Sequence, residues 1–294
     1  MLGFDIEPDR RVVDLQNPSW KGAENLFGRF ETLRRQVQAA GIEMRVTWFA
    51  RADPQIKKAN GESEWALRRF QGQLRSAEQA GDEIALHMHP WRWAGSDEGW
   101  VQDFSDDSWI LECLDISMRS FSRVFGRFPC AYRGGDRYMS NSIVRALEKR
   151  GVQVDFTLER VNGVERLVDN ENSTGQIPDC SSVPAKAFRA SRSDFRIPST
   201  DDCRALAMCP LTAAGEATLV PWTDRLVFEE QLETLMNEKE ALTHLAFVAR
   251  SDLALLPEWE EFEANVHALA RYARQGQLIF ATATDTGRQA GLPS

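Results

Sequence analysis

Short apolar runs alternate with amphipathic segments along much of the chain. The run Glu83–Met88 has the length and apolar content of a buried strand, whereas Ala23–Ala40 carries apolar residues at the three- and four-residue spacing of a helix. The predicted strands are Leu2–Ile6, Met44–Ala50, Glu83–Met88, Cys130–Arg133, Val152–Thr157, Leu242–Val248 and Leu278–Thr282. The predicted helices are Ala23–Ala40, Glu64–Ala80, Asp106–Phe125, Ser140–Arg150, Phe228–Glu240 and Pro257–Arg274. This strand–helix alternation predicts an α/β protein with a parallel sheet.

The alternation breaks between Glu159 and Thr223. That stretch contains Asn162–Gly163, Gly175 and several prolines, which indicates long loops or an insertion, with a short hairpin as an option. Long loops in compact domains are often functional, so a substrate lid is a natural interpretation. We therefore predict a single domain over residues 1–294, decorated by a loop-rich insertion around 159–223 that follows the fifth strand.

Size and charge narrow the class of protein. The 294 residues suit one α/β barrel, which typically needs about 250. A net charge of -9 with dispersed basic residues argues against a nucleic-acid partner. No apolar run approaches the ~20 residues of a membrane span. The N-terminus turns acidic at Asp5, too early for a signal peptide, so we expect a cytoplasmic protein unless a leader was removed.

Two acids lie at the end of the first predicted strand. Asp5 and Glu7 are two residues apart, so extended backbone points both side chains the same way. The carboxyl ends of parallel barrel strands form the catalytic face, where such a pair would suit a base beside a metal ligand. The alternatives are a simple polar loop, or the paired carboxylates of a glycosidase, which would not need neighbouring histidines.

A His-x-His pair ends the strand Glu83–Met88. His87 and His89 are two of only four histidines in the chain, and extended backbone presents both rings on one side, as zinc or a similar ion requires. Histidines hydrogen-bonded to loop carbonyls are the alternative. Trp91 and Trp93 follow at once, where they could stack on sugar rings or pack within a loop.

A third group surrounds Arg133. An arginine at a strand end, followed by Gly134 and Gly135, can hold a catalytic carboxylate through two hydrogen bonds. An anion site or a surface turn is the alternative. Asp155 lies in the next predicted strand among apolar residues, where an acid must be paired, so structural pairing is its expected role.

In this order, these motifs resemble the polysaccharide deacetylase (NodB-homology) family, in the variant with a His-x-His-Pro-Trp motif. The match runs from Leu2 to about Thr157, and more loosely from Leu242 to Thr282. The resemblance implies a distorted (β/α) barrel of the polysaccharide-deacetylase type with one bound divalent metal, zinc in the first instance, with cobalt or nickel as options.

The resemblance also implies roles for five residues. Asp5 corresponds to the general base, and Arg133 to the arginine that steadies it. Glu7 stands at the position of a metal-binding acid, although a family member would usually have the shorter aspartate there. His87 matches the first metal-binding histidine, and His89 takes the place of the second.

Two positions depart from the family pattern, and a third position matches its fourth motif. The usual second histidine lies four residues after the first, where this chain has Trp91. The late histidine that protonates the leaving amine is replaced by Arg250, which is too basic to act as an acid but could contact substrate or an oxyanion. Asp155 resembles the acid of the fourth motif and is assigned a supporting role.

The expected function is therefore metal-dependent removal of an N-acyl group, acetyl in the first instance, from an amino sugar or a sugar-containing small molecule. Trp91, Trp93 and Arg250 are the expected substrate contacts. One alternative is a member of the fold that binds saccharide without catalysis. Another is a hydrolase of a non-sugar C–N bond, in a cyclic amide or a formamide, because a fold by itself does not fix the substrate.

Overall fold

The computed structural model describes residues 1–160, 173–215, 217–237 and 243–289. Its strands are β1 (Leu2–Ile6), β2 (Thr47–Arg51), β3 (Glu83–Met88), β4 (Trp91–Trp93), β5 (Trp100–Gln102), β6 (Ala131–Gly134), β7 (Val154–Asp155), β8 (Phe188–Ser191), β9 (Cys203–Met208), β10 (Ala213–Ala214), β11 (Ala217–Thr218) and β12 (Phe247–Arg250). Its α-helices are α1 (Lys21–Ala39), α2 (Pro54–Asn60), α3 (Trp65–Arg69), α4 (Gln71–Gln79), α5 (Asp107–Phe125), α6 (Asn141–Lys149), α7 (Arg225–Asn237), α8 (Trp259–Arg274) and α9 (Ala283–Gln289). Two 3₁₀ turns cover Gly135–Arg137 and Ser251–Leu255.

Eight strands form one curled sheet in the order β12-β1-β2-β3-β6-β7-β9-β8. Neighbouring strands run parallel throughout, except for β8, which pairs with β9 in the antiparallel direction at one edge. Two small hairpins, β4–β5 and β10–β11, lie outside this sheet. The predicted parallel α/β barrel is confirmed, as an incomplete barrel with helices packed on the outside of the sheet.

Alternation along β1 decides which side chains face the interior of the curl. Leu2, Phe4 and Ile6 belong to the large apolar core that the helices cover. The intervening positions therefore face the inside of the curl, because successive strand residues point to opposite faces. Asp5 and Glu7 fall on that inner side at the carboxyl end of the strand.

The register of the parallel strands aligns further polar residues with those acids. Asp5 is opposite Arg250 of β12, His87 is opposite Arg51 of β2, and His87 is also opposite Arg133 of β6. All five residues end or nearly end their strands, so they collect at one edge of the sheet. This edge is the carboxyl end of a parallel barrel, where such folds carry their functional sites.

Side-chain caps fix where the neighbouring helices begin. Asp53 accepts a hydrogen bond from the backbone nitrogen of Ile56 and precedes a proline at the first position of α2, a strong helix-start signal. Asp106 and Ser140 cap α5 and α6 in the same way. Helix α2 could not be predicted from the sequence, because its seven residues are too short for a periodic pattern.

Three predicted elements differ from the structure. The strand predicted over Leu242–Val248 is observed at Phe247–Arg250. Leu278–Thr282 is irregular rather than a strand, since Thr282 accepts a hydrogen bond from the backbone nitrogen of Asp285 and so starts α9. The predicted helix Glu64–Ala80 is two helices that meet at Phe70.

The segment around 159–223 contains more regular structure than a loop-rich insertion would. Within it, β9 lies beside β7 in the main sheet and β8 forms its edge, while β10 and β11 make a hairpin. Of this segment, residues 161–172 and 216 lie outside the described residues.

Within the described residues, no helix combines the length and the apolar character needed to cross a membrane.

Candidate metal and acid–base centre

A cavity of about 330 Å³ opens at the carboxyl ends of the strands. Among the residues that line it are Asp5, Glu7, Arg11, His87, His89, Arg133, Asp136, Arg137, Glu159, Leu219, Trp222 and Arg250. The cavity thus brings together six of the nine residues singled out in the sequence, from four different strands and the residues that follow them. Trp91, Trp93 and Asp155 are not among its lining residues.

Three potential metal ligands converge on one side of this cavity. Glu7 Oε2 lies 3.1 Å from His89 Nε2 and 3.7 Å from His87 Nε2, and the two Nε2 atoms lie 2.9 Å apart. All three side chains are at most 2% exposed. In a tetrahedral zinc site with bonds of about 2.0 Å, neighbouring ligand atoms lie about 3.3 Å apart, which is close to these separations.

The hydrogen bonds behind the two rings decide what faces the centre. His87 Nδ1 donates to the carbonyl oxygen of Arg133 at 2.9 Å, and His89 Nδ1 donates to Asp136 Oδ2 at 3.0 Å. Each neutral imidazole carries a single N–H, so both Nε2 atoms present lone pairs toward Glu7. Three acceptors that face one another repel unless a cation or a proton lies between them, so these residues fit a divalent metal.

Asp136 and Gly135 hold His89 in place. Asp136 has a left-handed backbone, with φ of 54°, which aims its buried carboxylate at the ring. Burial alone would raise the pKa of Asp136, but His89 and nearby arginines lower it to about 2. Gly135 is required for space, since a Cβ atom there would lie 2.3 Å from His89 Nε2. Burial and Arg51 lower the pKa of His89, but Asp136 and Glu7 outweigh them and raise it.

Arg51 and Asp53, which were not predicted as site residues, form a buried support behind Glu7 and His89. Asp53 Oδ2 accepts hydrogen bonds from Arg51 Nε at 2.6 Å and from the backbone nitrogen of His89 at 3.1 Å. Arg51 also donates to Glu7 Oε2 at 3.3 Å and to the Gln55 side chain. A charged residue that ends an apolar strand, followed by an Asp-Pro helix start, was the available signal in the sequence.

Glu7 is held by two arginines from opposite sides. Arg250 Nη1 lies 3.2 Å from Glu7 Oε1, while Arg51 contacts the other carboxylate oxygen. Burial alone would raise the pKa of Glu7, but Arg250 and both histidines hold it well below its ordinary value. Arg250, which the sequence assigned to substrate or oxyanion contact, instead forms ion pairs with Glu7 and Asp252 while still lining the cavity.

Asp5 lies beside the proposed ligands and is oriented by Arg133. Arg133 Nε donates to Asp5 Oδ2 at 3.1 Å, and the same guanidinium donates to the carbonyl oxygen of Phe156 at 2.7 Å and to Glu159 at 3.3 Å. Asp5 Oδ1 is buried, lies 3.9 Å from His87 Nδ1, and has no hydrogen-bond partner within the described ranges. One oxygen of Asp5 is thus fixed, and the other is available.

The two tryptophans after the histidine pair do not provide the aromatic face of the cavity. Trp91 is 1% exposed, and its indole nitrogen lies 3.3 Å from His89 Nδ1, so it packs behind the ring and cannot stack on a sugar. Trp93 packs edge-on against Trp100 in the β4–β5 hairpin. Among the described residues, the half-buried Trp222 places an indole on the cavity wall. Sequence reasoning missed it because it lies in the irregular segment.

Asp155 is a buried structural residue beneath the site. Its carboxylate accepts hydrogen bonds from the hydroxyl and the backbone nitrogen of Thr157, at 2.6 and 3.0 Å. Thr157 Oγ1 in turn accepts from the backbone nitrogen of Gly134 at 2.7 Å. Burial raises the pKa of Asp155 to about 7. This arrangement agrees with the expected structural pairing.

Comparison with known proteins identified the fold and little beyond it. No protein-family model matches the chain, and no curated protein matches it significantly. Among solved structures, a protein assigned as a glycoside hydrolase/deacetylase from Parabacteroides distasonis matches with a TM-score of 0.63 and 14% identity, over 98% of this chain and 70% of the other. A protein assigned as a polysaccharide deacetylase from Pseudomonas aeruginosa matches with a TM-score of 0.56 and 13% identity, over 98% and 89%.

A third solved structure, PuuE allantoinase, matches with a TM-score of 0.54 and 14% identity, over 98% of this chain and 88% of that chain. At such low identity these similarities establish the fold alone. The chain therefore has the polysaccharide-deacetylase type of (β/α) barrel, with a buried Glu-His-His group, able to bind a metal, at the carboxyl ends of its strands.

Proposed function

We propose that this protein is a metal-dependent hydrolase that removes an N-acyl group from an amino sugar or a sugar-containing small molecule. The observation that carries the proposal is the convergence of Glu7, His87 and His89 beside an unpartnered oxygen of Asp5. Amide hydrolysis at a metal centre requires residues that hold the metal and, beside them, a group that accepts a proton from water.

Glu7, His87 and His89 would hold the metal, and zinc suits two imidazoles and one carboxylate, with cobalt or nickel as options. When bound, such an ion polarises the acyl carbonyl and lowers the pKa of water. The hydrogen bonds from His87 Nδ1 to the Arg133 carbonyl and from His89 Nδ1 to Asp136 set the orientation of both rings and leave Nε2 as the atom of each that would bind the metal.

Asp5 is the proposed general base. Its Oδ1 receives a proton from the attacking water, while Arg133 holds Oδ2 and prevents the carboxylate from turning away. Arg133 is itself fixed by the Phe156 carbonyl and by Glu159, so the base is oriented before substrate binds.

The leaving amine must gain a proton when the C–N bond breaks. Arg250 stands where the family resemblance places a histidine, and a guanidinium is too basic to donate that proton. The proton that Asp5 has taken from water is available, so we assign its return to the amine to Asp5 as well.

The proposed substrate class rests on the cavity wall and on the structural neighbours. The indole of Trp222 offers an apolar face of the kind on which sugar rings stack. One neighbour is assigned as a polysaccharide deacetylase and another as a glycoside hydrolase/deacetylase. The allantoinase neighbour favours a cyclic amide as the second candidate.

The test is turnover of a panel of N-acetylated amino sugars, N-formyl amines and cyclic amides by the metal-loaded protein. We expect acetate release from at least one amino sugar, and Asp5→Asn should lower kcat by about 10²–10⁴-fold, the usual contribution of a general base. The metal content should stay unchanged in this variant.

Asp14→Asn is the matched control, because Asp14 is an exposed aspartate that does not line the cavity. Wild-type activity in Asp5→Asn would refute the assigned base. Turnover of cyclic amides alone would favour the second candidate.

A further inference from the structure

We propose that the substrate carries an anionic group, a carboxylate or a phosphate, which Arg11 binds at the mouth of the cavity. The inference deepens the proposed function by naming a chemical class of substrate. The anion site itself does not depend on hydrolysis, so it can be tested separately.

The charged groups of the cavity differ in how far they reach solvent. The side chains of Asp5, Glu7 and Asp136 are at most 5% exposed. The side chains of Arg11 and Arg250 are 35% and 25% exposed. An entering ligand therefore meets the guanidinium groups of Arg11 and Arg250 before these three carboxylates, although the protein as a whole carries a net charge of -9. Glu159 is intermediate, at 15% exposed, and is paired with Arg133.

The arginines of the cavity also differ in how many of their guanidinium nitrogens already contact another protein group. Arg133 uses its three nitrogens on Asp5, the Phe156 carbonyl and Glu159. The three nitrogens of Arg250 are similarly directed at Glu7, Asp252 and the carbonyl of Pro8. Arg11 is engaged only by an ion pair, in which its Nε lies 3.2 Å from Asp136 Oδ1 without hydrogen-bond geometry to any described residue.

For the terminal nitrogens of Arg11, the structure records no partner across the described ranges. These two groups form the planar fork that matches a carboxylate or phosphate, and a pair of charge-assisted hydrogen bonds is a strong and directional contact.

The backbone holds Arg11 in place. Gln55 Nε2 donates to the Arg11 carbonyl at 3.2 Å. The surrounding loop is closed by Asp9, which accepts hydrogen bonds from the Ser19 hydroxyl and from the backbone nitrogen of Gly22. An anchored backbone and the ion pair with Asp136 limit how far the guanidinium can move, which lowers the conformational entropy lost when an anion binds.

The position of Arg11 relative to the centre suits a substrate contact. Asp136 touches Arg11 with one oxygen and His89 with the other, so one carboxylate separates the guanidinium from the proposed metal ligands. A substrate whose acylated nitrogen lies at the centre would place an anionic substituent of the same small molecule near Arg11. Neutral amino sugars would leave this fork unused.

The experiment compares neutral, carboxylated and phosphorylated versions of one N-acetyl amino sugar, with the wild type, Arg11→Met, Arg11→Lys and Arg10→Met. Arg10 is an exposed neighbour that does not line the cavity, so Arg10→Met controls for net charge. We expect the wild type to favour one anionic version by about tenfold or more in kcat/KM. The ratio of kcat/KM for the anionic substrate to kcat/KM for the neutral substrate should fall toward one in Arg11→Met. It should recover in part in Arg11→Lys and keep its wild-type value in Arg10→Met.

Binding of inorganic phosphate and of acetate, measured by calorimetry, separates this inference from the hydrolase assignment. Anion binding that Arg11→Met abolishes and Arg10→Met retains supports the site even if no sugar is hydrolysed. Hydrolysis with equal rates for neutral and anionic substrates would overturn the inference and leave the proposed function intact. The better of the two anions identifies the substituent.

Discussion

The two walls of the cavity are built in opposite ways. On one wall, at the ends of β1, β3 and β6, every functional group is fixed by a partner, as His87 is by the Arg133 carbonyl and His89 by Asp136. The other wall comes from the segment around 159–223 and is mainly apolar, with Leu219, Val220 and the half-buried Trp222.

This difference assigns the reaction to one wall and the recognition of the substrate to the other. Reactive groups need fixed geometry, which strand ends and their buried partners supply. Substrate recognition needs a surface that can vary without disturbing that geometry, and connecting segments supply it. In this account, changes on the first wall should abolish metal binding or turnover, and changes on the second should alter KM.

Among changes outside the proposed ligands and base, Gly135→Ala should have the largest effect. The added methyl would lie 2.3 Å from His89 Nε2, so the imidazole ring or the backbone at residue 135 must shift, which disturbs the position of Nε2 beside Glu7. We expect metal affinity to fall by roughly 10- to 100-fold, the usual cost of disturbing the support of a ligand. Metal titration monitored by calorimetry measures this.

Gly28→Ala is the matched control, because its Cβ would meet no atom within 4 Å on the surface of α1. It should keep wild-type affinity and gain up to about 1 kcal/mol of stability. Equal affinities of Gly135→Ala and wild type would mean that His89 is not a ligand.

A smaller effect is expected on the apolar wall. Trp222→Ala should raise KM for a sugar substrate by roughly tenfold through lost stacking, with kcat changed much less. Trp93→Ala should leave both constants near wild type, because Trp93 packs on Trp100 away from the cavity. Steady-state kinetics of the two variants test this difference. A larger increase in KM for Trp93→Ala than for Trp222→Ala would mean that Trp93, and not Trp222, contacts the sugar.

The smallest effect concerns Asp155 and stability. Because burial raises its pKa to about 7, the native state keeps a proton that the unfolded state has released, so wild-type stability falls as pH rises from about 4 to about 7. Asp155→Asn cannot ionise, so its stability relative to wild type should be greater at pH 8 than at pH 5. Urea denaturation at both pH values measures this difference.

Activity should persist in Asp155→Asn, because Asp155 does not line the cavity. Loss of turnover in a stably folded Asp155→Asn protein would instead make this residue part of the reaction machinery.

The contrast between the walls also explains what could be predicted from sequence. The short apolar runs in the sequence identified β1 and β3. Because alternate residues of a strand point to the same face, the two-residue spacing of Asp5 and Glu7, and of His87 and His89, placed each pair on one side of the sheet. Those inferences depend on local geometry alone, which is why they could be made without the fold.

The supports could not be predicted in the same way. Asp136 reaches His89 only through a left-handed turn, and Arg51 reaches Glu7 only through the pairing of adjacent strands. Trp222 was out of reach because its segment lacks periodicity, and Trp91 was misassigned because exposure cannot be judged from a motif. Contacts between distant segments are a property of the assembled sheet.

The most direct test of the account is the metal content of protein purified without chelator. Wild type should carry close to one equivalent of zinc, cobalt or nickel, and His87→Ala/His89→Ala should lose it. His267→Ala, which removes an outer histidine that contacts Gln36, should retain the metal. Wild type that takes up no metal even after incubation with excess ion, or a double variant that binds as wild type does, would contradict the proposed centre.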